Sequence, residues 1–265
     1  MNTRLLSDIP MIDAGYFEGM IADMPLRMAE PAHMKEFRKR LAPVATVEDG
    51  IATIPIEGPL AYAPDVLEMV FLGVEDSRGV LSAIESAKQN PAARGILLNI
   101  HSPGGMMMGG FEIADAIAGA GKPVVAWSGG LVASLAYLFA SQADALVTTR
   151  SAQVGSIGTI VSFKDFSAMF EKIGVRVEVM TNKEATLKGA GIQGTTLTEE
   201  QRGHIQGQLD KSFALFKAQV LSKRPGVKLE AMKGQMMFGS EAKEAGLVDA
   251  IGDMSFARSM LRRMI

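Results

Sequence analysis

The chain has 265 residues, 48% of them hydrophobic and 21% charged, and 27 basic against 29 acidic side chains give a formal net charge of −2. This is the composition of a folded globular chain long enough for one large domain, and its near-neutral balance argues against a general nucleic-acid binder, which carries a strong basic excess. With no cysteine, disulfides and thiolate zinc sites are excluded, and His33, His101 and His204 are too scattered to suggest a metal centre.

Residues 1–45 read as an N-terminal extension. Pro10, Pro25, Pro31 and Pro43 break any long element, and a short amphipathic helix is expected at Ala32–Leu41. The apolar residues at the start are interrupted by Ser7, Asp8, Pro10 and Asp13, so no signal-peptide core is formed. The most apolar stretch, Val124 to Val147, contains Ser128, Gly129, Gly130, Gln142 and Asp144. It makes a poor membrane span and a good buried strand-turn-helix. A cytoplasmic protein without a membrane anchor is the expectation.

From residue 46 to 265 the pattern is that of a folded domain. Ala52–Leu60 alternates as a strand and stops at Gly58-Pro59. Apolar residues at helical spacing cover 78–93, and Gly95–Ile100 is a continuous apolar run, as in a strand covered on both faces. A helix is expected at 111–118, a strand at 123–130, a helix at 131–143 and a strand at 145–150. Val175–Thr181 alternates as a further strand. Thr198 with Gln201 makes a capping box for a long helix to about Ser222. Ser240 is expected to cap a short helix ending at Gly246, followed by an apolar run at 247–251. Strands alternating with helices indicate a mostly parallel sheet with right-handed crossovers.

Four features carry chemistry. In His101-Ser102-Pro103-Gly104-Gly105, a glycine pair sits where a buried strand ends, and with no Cβ to block the approach its N–H groups can face a ligand. A tight turn alone would explain the same residues. Ser134 lies among small apolar residues at the start of a helix, where packing prefers alanine and where the helix N-terminus favours negative charge. A satisfied core serine is the plainer reading. Ser156 sits in a second glycine-flanked turn, Val154-Gly155-Ser156-Ile157-Gly158, which turn chemistry alone accounts for. Lys188, in Thr186-Leu187-Lys188-Gly189-Ala190-Gly191, reads in isolation as a solvated surface lysine.

Taken together and in this order, the four resemble the serine peptidase family of signal peptide peptidase A. That family shares the fold of the Clp protease proteolytic subunit and of crotonases. The stretch Met237–Asp249, with Phe238-Gly239 ahead of a helix ending in Gly246-Leu247-Val248-Asp249, is similar to the family's C-terminal segment. The resemblance covers roughly residues 46 to 252. It implies an α/β chain of Clp/crotonase-like fold, built from repeated β-β-α units with a mostly parallel sheet, and a Ser-Lys endopeptidase without metal or other cofactor.

Carried over position by position, the resemblance makes Ser134 the nucleophile, Lys188 its general base and Ser156 the group that orients the lysine amine. Backbone N–H groups of Gly105, with Gly104 beside it, and Leu135 would form the oxyanion hole. Such a base must lose its ammonium proton near neutral pH, against a reference pKa of about 10.4, which costs on the order of 4 kcal/mol and is met by burial. Lys183 is a rival base. A Ser-His-Asp site is disfavoured because no histidine lies between Ser134 and His204, and His101, where the family more often has Asn or Asp, reads as structural.

The Gly- and Ala-rich lining suggests a peptide or protein substrate bound as an extended strand near the Gly104-Gly105 loop, with small apolar side chains in a shallow pocket. The resemblance further implies a ring-shaped homo-oligomer, in which Lys188 can come from the same chain or from a neighbouring protomer. No nucleic-acid partner is expected. Two branches fit: a phage or prophage capsid (prohead) protease acting on capsid or scaffold proteins in the host cytoplasm or procapsid, which is preferred, and a bacterial signal peptide peptidase. A crotonase-type acyl-CoA enzyme and an inactive assembly protein are the alternatives of other classes.

Overall fold

A computed structural model describes residues 45–65, 68–69 and 72–265. The extension expected at 1–45, apart from Ala45, and the helix expected at Ala32–Leu41 lie outside the described residues.

The centre is a six-stranded sheet. Thr46–Glu48 (β1) and Ile51–Glu57 (β2) form an antiparallel pair at one edge. The short Leu60–Ala61 (β3) and Glu75–Asp76 (β4) pair with each other, and Ser77–Gln89 (α1) follows under an Asp76 cap. Gly95–His101 (β5), Gly110–Ala118 (α2) and Val124–Ser128 (β6) come next. Leu131–Ala133 (β7) leads into Leu135–Ser141 (α3), and Ala145–Thr148 (β8) returns to the sheet. Ala250–Ile251 (β11) closes it, giving the order β1-β2-β5-β6-β8-β11 with every pair after the first parallel.

Parallel strands with helices on both faces must be apolar on both faces. On β5, Ile96, Leu98 and Ile100 point into the larger core with α1, α2 and α3, while Leu97 joins Ile51, Val125 and Val147 under Met254–Arg262 (α7). This is why Gly95–Ile100 shows no alternation in sequence.

A second sheet, in the order β10-β9-β7, joins β7 to Gln153–Gly155 (β9) in parallel and β9 to Met236–Phe238 (β10) antiparallel. Here the structure differs from the helix expected at 131–143. The Ser102 N–H donates to Leu131 O (2.8 Å) and Ala133 N–H to Ser102 O (3.1 Å), so Leu131–Ala133 is drawn out as a strand and the helix starts only at Leu135.

The remaining helices are Ser167–Lys172 (α4), Glu199–Lys223 (α5) and Gly239–Glu244 (α6). The Thr198/Gln201 capping box of α5 is present. Helix α6 is entered at Phe238 rather than capped by Ser240, because the Glu241 carboxylate accepts the Phe238 N–H (2.9 Å). The strand expected at Val175–Thr181 does not form in the single chain: no sheet neighbour is offered among the described residues, and Val175 and Val179 stay exposed.

Candidate active site

Ser134 sits at the N-cap of α3 with φ 52 and ψ −123, a left-handed backbone that a non-glycine residue adopts only where its surroundings over-determine it. Three contacts do so. Its N–H donates to Gly155 O (2.8 Å), its carbonyl accepts Leu138 N–H (3.0 Å), and β7 is held by Ser102 on one side and β9 on the other. The residue is 2% exposed yet lines an open cavity.

The glycine loop closes against it. Ser102 Oγ donates to Gly58 O (2.7 Å) and accepts Gly104 N–H (3.1 Å), while Leu60 N–H donates to Gly104 O (2.8 Å). Gly104 has φ 91, and a Cβ there would stand 2.8 Å from Ala133 O, Leu135 N and Ser134 Cβ. Only glycine lets this loop lie so close to the serine. A Cβ on Gly105 would run into the backbone of Leu60. Among the described residues, neither the Gly105 N–H nor the Leu135 N–H is taken up by a backbone or side-chain acceptor. Both therefore remain available to an incoming oxygen.

Helix α3 behind the serine is wholly buried. Tyr137 OH donates to Leu247 O (3.0 Å), and burial pushes its phenol well above the ordinary tyrosine range. The carbonyl of Ser141, at the C-terminal end of α3, accepts Arg224 Nε (3.2 Å), and Arg224 is paired with Asp249 at 2.7 Å. A cation there complements the helix dipole and fixes the end of the element that carries Ser134.

Ser156 shares the cavity and, like Ser134, has φ 52; its N–H donates to Gln235 O (2.8 Å). The cavity, about 540 Å³, is further walled by Ile157 to Val161, by Leu209 and Phe213 of α5, and by Met232. Ser134 and Ser156 thus share one cavity, and Gly104 lies against Ser134 and the Leu135 N–H.

Lys188 does not join them within one chain. It is exposed in a turn of the 159–198 segment, its N–H donating to Ala185 O (3.1 Å), and it is not among the residues around the cavity; Lys183 is exposed too. The lysine that does line the cavity is Lys233, ahead of Gly234 with φ 85. Sequence reading passed over Lys233 and the α5 wall, although Gln206, Leu209, Asp210 and Phe213 recur at the spacing of one helix face. His101 is exposed, and its Nδ1 accepts Leu131 N–H (3.3 Å) at the head of β7, a structural contact. No helix among the described residues is long and apolar enough to cross a membrane.

Comparison with known proteins follows the same lines. The profile of "Peptidase family S49" matches residues 116–264, and that of "Clp protease" matches residues 72–154. The chain is 30% identical to capsid assembly protease C of Escherichia phage lambda, over 82% of this chain and 49% of that protein. It is 30% identical to head-tail preconnector protein GP5 of Enterobacteria phage P21, over 90% and 48%. Protease 4 of Salmonella typhi is likewise 30% identical, over 66% and 29%. The chain spans about half the length of the phage relatives it matches. An enoyl-CoA hydratase from Shewanella pealeana, 11% identical, superposes with a TM-score of 0.50 over 87% of this chain and 76% of its own, which shows the Clp/crotonase fold alone.

Proposed function

The chain belongs to peptidase family S49, and from that premise we propose that residues 46–265 form a serine endopeptidase domain working through Ser134 and Lys188. The observation that carries the reading is Ser134 itself: a serine forced into a left-handed backbone at a cavity floor, flanked by two N–H groups without acceptors among the described residues. A crotonase-type enzyme would use the same paired N–H groups but has no need of the strained serine.

In this proposal the Ser134 hydroxyl attacks the substrate carbonyl carbon while its proton passes to the Lys188 amine. The carbonyl oxygen, now an oxyanion, takes the Gly105 and Leu135 N–H groups, with Gly104 holding the loop in place. The C–N bond breaks as the lysine returns the proton to the leaving amine. Water then repeats the sequence on the acyl-serine, and no cofactor enters. Ser156 holds the lysine amine in line.

A lysine serves as base only when withdrawn from water. The exposure of Lys188 in the single chain therefore supports a site completed by the 159–198 segment of a neighbouring protomer, in a ring-shaped homo-oligomer. The apolar residues that segment leaves exposed, such as Ile173 at 66% and Met180 at 88%, support the same assembly.

The two phage relatives, matched along most of this chain, favour a capsid assembly protease acting on capsid or scaffold proteins in the host cytoplasm or procapsid. A bacterial signal peptide peptidase is the second reading, favoured by the match to Protease 4. Either substrate would lie as an extended strand beside the Gly104-Gly105 loop. The test is labelling by a fluorophosphonate probe. Labelling of the native protein that disappears in Ser134→Ala is expected, and a folded, assembled protein that takes up no probe would overturn the reading. Labelling that persists in Lys188→Ala would move the base role to Lys233.

A further inference from the structure

The cavity beside Ser134 carries more chemistry than peptide-bond cleavage requires. Part of its wall is apolar, from Ile157, Leu209, Phe213 and Met232, and Thr159 Oγ1 donates to Leu209 O (3.0 Å), tying the wall after Ser156 to helix α5. Asp210 and Lys233 also line it, and both are exposed to solvent. Asp210 accepts one hydrogen bond, from Gln206 Nε2 on the same helix (2.9 Å). Among the described residues neither charge is engaged in an ion pair. An acceptor and a donor of opposite charge thus line one cavity of mixed polar and apolar walls without forming an ion pair with each other.

A carboxylate alone would select a cationic side chain, and an ammonium alone an anionic one. With both present, a lysine side chain meets the Lys233 ammonium and a glutamate side chain meets the Asp210 carboxylate, so each full charge gains one attraction and suffers one repulsion. A carboxamide suffers neither penalty: its N–H donates to a carboxylate and its C=O accepts from an ammonium. At about 540 Å³ the space is also far larger than a small apolar side chain fills, and an alanine there would leave the walls without contacts.

We propose that this cavity selects a substrate side chain with an apolar stem and an uncharged amide head, glutamine above all. The stem lies against Leu209, Phe213 and Met232, the amide N–H donates to Asp210, and the amide C=O accepts from Lys233. The inference rests on the reading of Ser134 as nucleophile, and it takes the residue held in this cavity to be the one on the acyl side of the cleaved bond.

The experiment measures kcat/KM for a peptide series that differs only in that residue, Gln, Glu, Lys, Met or Ala, with the native protein and with Asp210→Lys and Lys233→Glu. The native protein is expected to favour Gln over both Glu and Lys by about tenfold. Asp210→Lys should shift the preference towards Glu, and Lys233→Glu towards Lys. Ratios taken within each protein cancel any change in overall activity or folding. The same ranking in all three proteins, or a native preference for Ala, would overturn the inference while leaving the peptidase reading intact. A native protein that neither cleaves any of the peptides nor takes up the fluorophosphonate probe would remove both.

Discussion

Two stretches meet at Ser156. Before it, from Gly95 to Gly155, the chain crosses the sheet repeatedly and nearly every apolar side chain is covered: β5, β6, β8 and α3 are almost entirely buried. Beyond it, from Thr159 to Thr198, the chain lies open, with α4 as its one regular element among the described residues, and apolar residues such as Ile160 and Ile173 face solvent. Composition does not explain the contrast, since both stretches carry strand-like apolar patterns. What differs is whether the described residues of the chain itself cover them. The first stretch sets Ser134 against Gly104 and Gly155 unaided; the second leaves Lys188 exposed and away from the cavity that Ser134 lines.

The sharpest way to break this comparison is to compare deletions in the two stretches. Phe139 is fully buried in α3, and Phe139→Ala should cost about 3–5 kcal/mol in urea unfolding. Val179→Ala, at a residue 41% exposed, should change the unfolding of dilute, unassembled protein by less than about 0.5 kcal/mol while weakening self-association in sedimentation. Equal losses at both positions would mean that the 159–198 segment is packed within the single chain after all.

Next in size is Gly104→Ala. The new Cβ would press on Leu135 N and Ser134 Cβ in a backbone that already has φ 91. Turnover should fall about 10²–10³-fold, the cost of losing one oxyanion donor. Activity within threefold of native would remove the loop from the site.

A smaller effect comes from Tyr137. Its phenol is held protonated in the folded protein, so the unfolded chain gives up that proton first, near its ordinary pKa of about 10. Stability should therefore be unaffected by this group below about pH 10 and fall above it, by up to about 1.4 kcal/mol per pH unit. Tyr137→Phe should flatten that alkaline slope, which a pH series of melting curves reads directly.

The same contrast explains how much was legible in the sequence. The run Gly95–Ile100, the helix at α1 and the capping box of α5 were readable because burial within the chain imposes their periods. The glycine pair and the serine turns were readable as motifs, and the structure supplies what a motif lacks: the closeness of Gly104 to Ser134 and the strand character of Leu131–Ala133, both fixed by pairing with distant Ser102. The alternation at Val175–Thr181 misled, because a strand pattern promises a sheet neighbour and none is offered among the described residues. Lys233 was invisible because nothing in its local sequence tells of Ser134, brought to the same cavity from across the fold.

The most direct test of the central claim, a serine supplied by one protomer and a lysine by the next, is co-expression of Ser134→Ala with Lys188→Ala. Each variant alone should be inactive. If the site is shared around a ring, random co-assembly leaves about a quarter of the sites with both groups intact, and activity per site should return to about a quarter of native. Mixed assemblies as inactive as either variant alone would contradict it, and would return the whole dyad to a single chain.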